Sequence, residues 1–359
     1  MKVLIIGPFP QPVTGNSLAN QVVFENLALR KENITVDNVN TSFSSFKEDL
    51  GELSVEKVWH YIKQYIGIFK VFNSDKLYYT TGQTFYGVIK YLPYLVIAKI
   101  IRTEITVHVH GDYLHKEFNS LSGIKRYLFK RVFQLCDKGI VLSKSLKRNL
   151  LPFLPENKIF VLENFVEDFL FDENVNKKFD KLRIIYLSNL MTEKGIFDLI
   201  DSLNILHNNN IKFEAKIAGG IDIAIESIVK KKLDELPDCV EYLGLVHNED
   251  KKNLLVWGNV FVFPTYYSME GQPISILEAM ATGNIVLTTE HAGIPDVFEE
   301  NTNGFYIEKK CPESISAKLQ MMSVRMNEYI EISNRNMKES SEKYRVDSFI
   351  NKLYSIINT

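Results

Sequence analysis

Short apolar runs alternate with helical patterns along the whole chain, and this alternation limits the fold more than any other feature of the sequence. Strands that are joined by helices pair in parallel, because the helix returns the chain to the same end of the sheet. The pattern therefore predicts an α/β fold with doubly wound parallel sheets. The predicted strands are Val3 to Ile6, Ile34 to Val39, Leu77 to Tyr79, Ile105 to Val109, Gly139 to Leu142, Ile159 to Leu162, Arg183 to Leu187, Phe213 to Ala218, Val240 to Leu243, Val260 to Phe263, Ile285 to Thr288 and Gly304 to Ile307.

The length and one patternless stretch predict two domains. A chain of 359 residues is long enough for two hydrophobic cores. The stretch from Glu167 to Lys181 is rich in Asp, Glu, Asn and Lys and lacks periodicity, so we predict that it is the linker. Two such sheets would form a cleft at their carboxyl edges, and clefts between domains are preferred ligand sites.

Composition and charge exclude several classes of protein. The chain is 45% hydrophobic and 24% charged, as soluble globular proteins are, and its net charge of −2 argues against a nucleic-acid binder. Its three cysteines lie far apart without histidines at metal spacing, which indicates a reducing compartment and no zinc site. The first apolar run, Met1 to Ile6, is too brief for a signal peptide. We therefore expect a cytoplasmic protein.

Two carboxylates flank a glycine-containing turn that follows a predicted buried strand. Glu270 and Glu278 have seven residues between them, and the strand from Val260 to Phe263 precedes both. In open parallel sheets, ligands bind at the carboxyl ends of the strands. The sequence therefore predicts a ligand site here.

The backbone of this turn is suited to an anion. Gly271, Gln272, Ile274 and Ser275 stand at the entry of a predicted helix, where amides lack intrahelical partners and the helix dipole attracts negative charge. Pro273 suits the first helical turn because its missing N–H costs nothing there. These residues are our candidates for binding a phosphorylated ligand.

The carboxylates themselves are suited to other parts of such a ligand. Carboxylates repel phosphate, but they accept hydrogen bonds from hydroxyl groups and stabilise positive charge that develops on a nearby carbon. A nucleotide sugar offers phosphates, hydroxyls and an oxocarbenium-like anomeric carbon together. The alternative is that Glu270 is a surface loop residue and Glu278 a helix carboxylate that the dipole stabilises.

The segment from Glu270 to Glu278 resembles the E-x7-E motif of retaining glycosyltransferases of the GT-B type, most closely glycosyltransferase family 4. The resemblance implies two doubly wound Rossmann-like domains that face each other across a cleft. Residues 1–168 would form the acceptor-binding domain and residues 169–342 the nucleotide-sugar-binding domain. The final helix, in residues 343–359, would cross back to the first domain.

A second predicted site follows the strand Arg183 to Leu187. Lys194 and Gly195 stand at a helix entry, where a lysine delivers a point charge to a diphosphate that neighbouring amides hold. The resembled family usually has a glycine and an arginine upstream of this pair, whereas this chain has Ser188 and Asn189. We place Asn189, Lys194 and Gly195 in the donor site, although a solvated loop lysine is the alternative for Lys194.

A third site lies at the end of the strand Ile105 to Val109. Strand alternation places His108 and His110 on one face, and Gly111 allows a ligand to approach the backbone. The resemblance implies that His110 contacts the donor sugar or the reacting centre, while His108 is predicted to be a satisfied core histidine. Asp112 is predicted to position His110 or bind the acceptor, with a turn cap as the alternative.

Weaker matches complete the predicted pocket. The resemblance implies that the loop before the first helix, with Gly15 and Asn16, lies over the donor phosphates and the acceptor. The alternative is that Asn16 or Ser17 caps that helix. Val246 follows a strand and a glycine, at a position near the base or ribose in the resembled family. Asn164 matches a family asparagine and receives no predicted role.

No D-x-D triplet or cluster with metal spacing occurs in the sequence, so we expect a metal-independent transferase without a cofactor. Between Phe85 and Leu150, twelve Lys and Arg residues stand against four acidic ones. With the interleaved aromatic and apolar residues they are predicted to form a basic face that rests on anionic lipid. The apolar members of this predicted face are Tyr91, Tyr94, Leu95, Tyr127, Phe129 and Phe133.

The sequence is therefore interpreted as a retaining hexosyltransferase of bacterial surface-polysaccharide biosynthesis. Its donor would be a nucleoside diphosphate sugar, with UDP favoured by family frequency, and its acceptor a lipid-linked oligosaccharide or related glycan. Glu270, His110 and Lys194 are the predicted catalytic residues. Two alternatives stay open, a nucleotide-sugar epimerase or hydrolase on the same fold and a catalytically weak scaffold subunit of a polysaccharide assembly.

Overall fold

Two parallel β-sheets of six strands each organise the chain. The structure, a computed structural model, describes residues 1–31, 33–42, 64–172 and 177–359. The first sheet consists of β1 (Lys2–Gly7), β2 (Thr35–Asn40), β3 (Lys76–Thr80), β4 (Glu104–Val109), β5 (Lys138–Val141) and β6 (Ile159–Val161). The second consists of β7 (Leu182–Leu187), β8 (Phe213–Ala218), β9 (Val240–Tyr242), β10 (Val260–Phe263), β11 (Ile285–Thr288) and β12 (Gly304–Tyr306). Each predicted strand matches an observed one to within one residue at either end.

Helices connect these strands. The α-helices of the described residues are α1 (Gly15–Arg30), α2 (Phe85–Ile89), α3 (Leu92–Ile100), α4 (Leu114–Ser120), α5 (Gly123–Gln134), α6 (Ile196–Asn208), α7 (Glu226–Asp234), α8 (Asn248–Trp257), α9 (Ile274–Ala281), α10 (Pro312–Val324), α11 (Ile330–Lys343) and α12 (Val346–Asn358). Short 3₁₀ helices occupy Tyr65–Asn73, Ser145–Asn149, Glu156–Lys158, Asp168–Leu170, Thr192–Lys194, Ile223–Ile225, Ile294–Asp296 and Met326–Tyr329. Each α-helix in this part of the chain is too short or too polar to cross a lipid bilayer.

The strand orders show that both sheets are doubly wound. The first sheet has the order β2-β1-β3-β4-β5-β6 and the second the order β12-β11-β10-β7-β8-β9, and all neighbours pair in parallel. In the second sheet the winding direction reverses between β7 and β10, where Val260 pairs with Ile184. The loops that leave these two strands therefore start side by side, at the position where doubly wound sheets bind ligands.

Strands of both sheets are buried on both faces, which explains their continuous apolar sequences. All four residues of β10 and of β11 are buried, as are the last five residues of β1. Helices that cover both faces of a parallel sheet remove the need for polar alternation. The predicted α/β fold is confirmed by this architecture.

The chain divides into two compact units whose boundaries differ from the predicted ones. The first unit contains Met1–Asn164, Met269–Gln272 and Val346–Thr359, and the second contains Phe165–Ser268 and Pro273–Arg345. The prediction put the domain boundaries at residues 168/169 and 342/343, and it left residues 269–272 in the second domain. These four residues group with the first unit because residues in the loops after β3, β5 and β6 are hydrogen-bonded to them, as described below.

The predicted linker is partly folded onto the second unit, while its residues 173–176 lie outside the described residues. The ammonium of Lys177 donates to the carbonyls of Leu255 and Gly258, the latter at 2.5 Å, and to Asn284 Oδ1 at 3.1 Å. These carbonyls lie at the end of α8, so Lys177 caps that helix. Burial lowers the pKa of Lys177 well below its usual value.

Candidate functional site

Lys194 lies in the second unit at the point where the winding of the sheet reverses. The chain leaves β7, forms the 3₁₀ turn Thr192–Lys194 and enters α6 through Gly195. Gly195 has a φ of +78°, and a Cβ there would lie 2.5 Å from the carbonyl oxygen of Pro264, which follows β10. Only glycine satisfies both conditions, so the sequence Lys194-Gly195 fixes how closely the β7 and β10 loops approach.

Further contacts hold these two loops together. The backbone amide of Tyr266 donates to the carbonyl of Glu193 at 2.8 Å. The Lys194 ammonium lies 5.3 Å from the centre of the Phe263 ring and 5.0 Å from that of Tyr267, within cation–π distance. Lys194 thus stands at a helix entry, as predicted, and its head group is placed by aromatic residues of the neighbouring loop.

Asn189 and the glycines that follow β8 are adjacent in the second unit. Asn189 is exposed, and its carbonyl accepts a hydrogen bond from the Tyr186 hydroxyl at 3.2 Å. A Cβ at Gly219 would lie 1.8 Å from the carbonyl oxygen of Ser188, and one at Gly220 would lie 3.9 Å from Asn189 Oδ1. Val246 is half-buried in the loop between β9 and α8. The roles predicted for Asn189 and Val246 remain predictions.

The helix α9 carries Glu278 and begins one residue later than predicted. Pro273 is the N-cap with extended backbone, so the first helical residue is Ile274 and not Pro273. Glu278 is 3% exposed, and its Oε1 pairs with the Lys251 ammonium at 2.7 Å. Lys251 also pairs with Glu167 at 2.8 Å. The charge of Glu278 is therefore compensated by a lysine of α8, which the sequence analysis missed.

The loop that bears Glu270 belongs to the first unit and lies against the end of β4. A Cβ at Gly271 would lie 2.1 Å from the carbonyl oxygen of His110, so only glycine permits this approach. Gly111 is equally constrained, since a Cβ there would lie 2.4 Å from the carbonyl oxygen of Met269. Glu270 itself is 8% exposed. The structure thus brings together two predicted catalytic residues, Glu270 and His110.

Two residues from other loops of the first unit hold this loop, Gln83 after β3 and Asn164 after β6. Gln83 donates to the carbonyl of Met269 at 2.9 Å and accepts from the backbone amide of Tyr113 at 2.6 Å. The backbone amide of Asn164 donates to Gln272 Oε1 at 2.5 Å, and Asn164 Nδ2 donates to the Gln272 carbonyl at 2.7 Å. The sequence analysis missed Gln83 and gave Asn164 no role. The side chain of Gln272 is hydrogen-bonded to Asn164 and holds the loop in place, so only the backbone amide of Gln272 remains a candidate for binding a phosphate.

His110 is buried and neutral at physiological pH. Burial lowers its pKa to about 3, and its Nε2 has no hydrogen-bond partner within the described ranges. Its ring lies 4.0 Å from that of His108, whose Nδ1 is hydrogen-bonded with the Tyr78 hydroxyl at 2.7 Å. The Nε2 of His108 also lacks a partner in the described part of the chain, so the prediction of a satisfied core histidine holds for only one of its nitrogens.

The Asp112 carboxylate forms an ion pair with Arg148 of the same unit. Its carboxylate accepts from Arg148 Nε at 2.8 Å and from a second guanidinium nitrogen, and Asn149 Nδ2 lies 3.4 Å from Oδ1. Such paired hydrogen bonds between a guanidinium and a carboxylate fix the orientation of both groups. Asp112 is therefore oriented by Arg148, and its predicted role in acceptor binding remains a prediction.

The first loop ends at a capped helix. Thr14 is the N-cap of α1, and its side chain accepts from the Ser17 amide at 3.2 Å in a capping box. The alternative, that Asn16 or Ser17 caps this helix, is wrong for the N-cap position, because Gly15 and Asn16 are already the first two helical residues and Ser17 is the N3 residue of the capping box. Their backbone amides thus stand at the helix start, where we predicted donors for an anion.

The predicted basic and aromatic face is smaller than expected. Of its six apolar members, five are buried in the core of the first unit and only Tyr127, 53% exposed, lies on the surface. The helical repeat of α5 turns Phe129 and Phe133 inward. The remaining face, which we call the α5 surface, consists of Ile124, Lys125, Tyr127, Lys130 and Arg131, all exposed.

The second unit matches a known sequence family. Residues 168–343 match the family model described as glycosyl transferases group 1. The chain is 27% identical over 201 residues to an amylovoran biosynthesis glycosyltransferase of Erwinia amylovora, a match that covers 54% of this chain and 49% of that protein. It is also 27% identical over 202 residues to an N,N′-diacetylbacillosaminyl-diphospho-undecaprenol alpha-1,3-N-acetylgalactosaminyltransferase of Campylobacter jejuni, covering 54% and 48%. The chain spans about half the length of the curated relatives it matches.

Solved structures share the fold over the full length. HepE of Anabaena, in a crystal structure in complex with UDP, matches with a TM-score of 0.72 and 14% identity, and the match covers 100% of both chains. At this identity the similarity shows the fold alone, which is the GT-B fold of two doubly wound sheets.

Proposed function

We propose that this chain is a retaining glycosyltransferase of family 4 that transfers a hexose from a nucleoside diphosphate sugar to a hydroxyl group of a glycan. The observation that carries the proposal is the loop of Glu270, whose Gly271 packs against the backbone of His110 while Glu270 itself stays buried. A buried carboxylate on a loop whose backbone packs against that of a buried histidine is suited to a sugar ring that bears hydroxyls and develops positive charge.

Lys194 and nearby backbone amides of the second unit are our candidates for the donor diphosphate. The lysine stands at the start of α6, where the helix dipole and unpaired amides favour an anion. The backbone amides of Gly271, Gln272, Ile274 and Ser275 near the start of α9, and those of Gly15 and Asn16, are further candidates. Transfer would then need no metal ion, because these groups would compensate the charge of the leaving diphosphate.

UDP is the proposed nucleotide, and a lipid-linked oligosaccharide or related glycan is the proposed acceptor. Support for the nucleotide comes from HepE, whose crystals contain UDP. Support for the acceptor class comes from the Campylobacter relative, whose name specifies a diphospho-undecaprenol substrate. Surface-polysaccharide synthesis in bacteria is the proposed setting, with the α5 surface in peripheral contact with the inner face of an anionic membrane.

The first experiment is a thermal-shift panel with UDP, GDP, ADP and CMP. A ligand that binds the folded state raises Tm in a concentration-dependent manner, so the donor nucleotide should stand out. Transfer of the matching radiolabelled sugar to undecaprenyl-linked acceptors would then be measured with EDTA and with added magnesium. We expect equal rates in both and, by NMR, a product with the anomeric configuration of the donor. An inverted anomer would overturn the retaining assignment.

A scaffold subunit with weak activity is the second candidate. It is favoured by one observation, the presence of Ser188 and Asn189 where the resembled family has a glycine and an arginine. In that case a nucleoside diphosphate would raise Tm, yet no acceptor would support turnover. Release of an altered sugar without any acceptor would instead indicate an epimerase or hydrolase.

A further inference from the structure

Lys251 joins two carboxylates inside the second unit. Its ammonium lies 2.7 Å from Glu278 Oε1 and 2.8 Å from Glu167 Oε2, and it also lies 5.4 Å from the centre of the Phe169 ring. The side chains of Lys251 and Glu278 are 12% and 5% exposed. Three elements meet here, since Lys251 is on α8, Glu278 on α9 and Glu167 just before the 3₁₀ helix Asp168–Leu170.

The charges of this triad do not cancel. Two carboxylates and one ammonium leave a net charge of −1, which is unfavourable in a largely buried place unless further donors are present. An ion pair that only stabilised the fold would need one carboxylate for this one ammonium. Glu167, whose side chain is 26% exposed, is in contact with solvent, so the surplus charge calls for a further hydrogen-bond donor mainly at Glu278, whose side chain is 5% exposed.

Glu278 is the carboxylate that such a donor would reach. As the second carboxylate of the E-x7-E motif, Glu278 would accept hydrogen bonds from the ribose of the donor nucleotide, so this inference rests on the proposed function. Lys251 holds Glu278 Oε1, which restricts the rotation of the carboxylate and leaves Oε2 as the oxygen that would accept from the ribose. Burial opposes the charge on Lys251, but the two carboxylates outweigh it and raise the pKa of Lys251 above its usual value.

We propose that Lys251 is a positioning residue that holds the Glu278 carboxylate in the orientation that accepts hydrogen bonds from the ribose hydroxyls of the nucleotide, with Glu167 holding Lys251 in place. Lys251 itself does not touch the nucleotide in this arrangement. Substitution of Lys251 would therefore weaken the contacts with the ribose and leave the contacts with the diphosphate unchanged.

The test compares a ribonucleotide with its 2′-deoxy form. Dissociation constants of UDP and 2′-deoxy-UDP would be measured by calorimetry on the full chain, or of the matching pair if another base raises Tm. A hydrogen bond to a charged group makes the wild type prefer UDP by about 10-fold. In Lys251→Met we expect this ratio to fall to about 1, mainly through weaker binding of UDP.

Lys252→Met is the matched control. Lys252 is the next residue of α8 and pairs with a different carboxylate, Asp172, at 3.0 Å, so its removal should leave the ratio unchanged. Lys251→Met leaves two carboxylates without their ammonium partner. If this variant does not fold, the double variant Lys251→Met/Glu167→Gln removes one of these two charges, and the ratio of the two dissociation constants can be measured on it instead. Glu278→Gln should abolish the preference for UDP in either background.

The outcomes separate this inference from the proposed function. If no nucleoside diphosphate binds the wild type, the proposed function fails. If UDP binds but wild type does not prefer it to 2′-deoxy-UDP, or if Lys251→Met keeps the preference, the positioning role is wrong. Equal weakening of both ligands in Lys251→Met would show a structural role only, and this result would also overturn the inference.

Discussion

Asn164 and Gln272 exchange two hydrogen bonds across 108 positions of sequence, one through a backbone amide and one through a side-chain amide. Both residues are buried, at 4% and 3% exposure. The Gln272 side chain also donates to the Leu142 carbonyl at 3.3 Å. The position of the catalytic candidate Glu270, two residues before Gln272, is therefore set by the end of the first sheet.

Asn164→Ala should loosen the Glu270 loop. The substitution removes the Asn164 Nδ2 donor and leaves the Gln272 carbonyl without this partner, which costs about 1–3 kcal/mol. For a unit of this size we expect Tm to fall by about 2–4 °C per kcal/mol. Sugar transfer should fall as well, mainly in kcat. If Tm falls but kcat is unchanged, the hydrogen bond from Asn164 stabilises the fold without positioning Glu270.

Gly271→Ala should be among the most damaging single-methyl substitutions in the chain. The added Cβ would lie 2.1 Å from the carbonyl oxygen of His110, which is backbone and cannot rotate away. We expect transfer to fall by about 100-fold, since a displacement of about 1 Å is enough to cost that much. Gly220→Ala is the control, because its nearest neighbour is the flexible end of Leu245 at 3.4 Å. Equal activities of the two variants would contradict the prediction.

Lys194→Ala should remove the response of Tm to the nucleoside diphosphate. A charge-assisted contact to a phosphate contributes about 1.5–3 kcal/mol, so Kd should rise by about 10- to 100-fold. Lys216→Ala is a matched control, since Lys216 also lies over an aromatic ring, that of Trp257 at 4.7 Å, and belongs to the same unit. The diphosphate assignment fails if both variants bind the nucleotide as the wild type does.

The buried His110 should make stability depend on pH in a defined window. Burial lowers its pKa from 6.5 to about 3, so the unfolded chain binds a proton at His110 that the folded chain does not between these values. Stability from this group is therefore complete above pH 6.5 and is lost as the pH falls toward 3, by up to about 1.4 kcal/mol per pH unit. His110→Gln should flatten the decline of Tm below pH 6.5, whereas substitution of the exposed His207 by Gln should not.

The α5 surface is predicted to bind anionic vesicles. Each basic residue near an anionic membrane contributes about 1 kcal/mol, so Lys130→Glu combined with Arg131→Glu should weaken binding by about tenfold or more. Sedimentation with phosphatidylglycerol vesicles at low and high salt would measure this effect. Lys230→Glu with Lys231→Glu, on α7 of the second unit, is the control for net charge. If it weakens binding equally, the α5 surface is not the contact.

The sequence was sufficient for features that local patterns determine. The strands were predicted to within one residue because the continuous apolar runs of parallel strands are short and bounded, as Val260–Phe263 is. The position of Lys194 and Gly195 at a helix entry was predicted correctly because the signal lies in consecutive residues. The apolar residues near α5 were misjudged because the charge count ignored which face of the helix each residue occupies.

Features that depend on distant residues were not predictable from local patterns. Gln83 meets Met269 across 186 positions, and Lys251 meets Glu278 across 27. A glutamine or lysine in such a place has the same sequence signature as one exposed to solvent. The role of Asn164 could be recognised only when the fold placed it beside Gln272.

Because residues 269–272 belong to the first unit while their neighbours on both sides belong to the second, the chain passes between the units at four places. The two halves are therefore not interchangeable parts. A chimaera that exchanged residues 165–345 with those of a relative would import a foreign Glu270 loop and keep the native Gln83 and Asn164 that must receive it. Recombination between such proteins would preserve activity only if these two positions were inherited together with the loop.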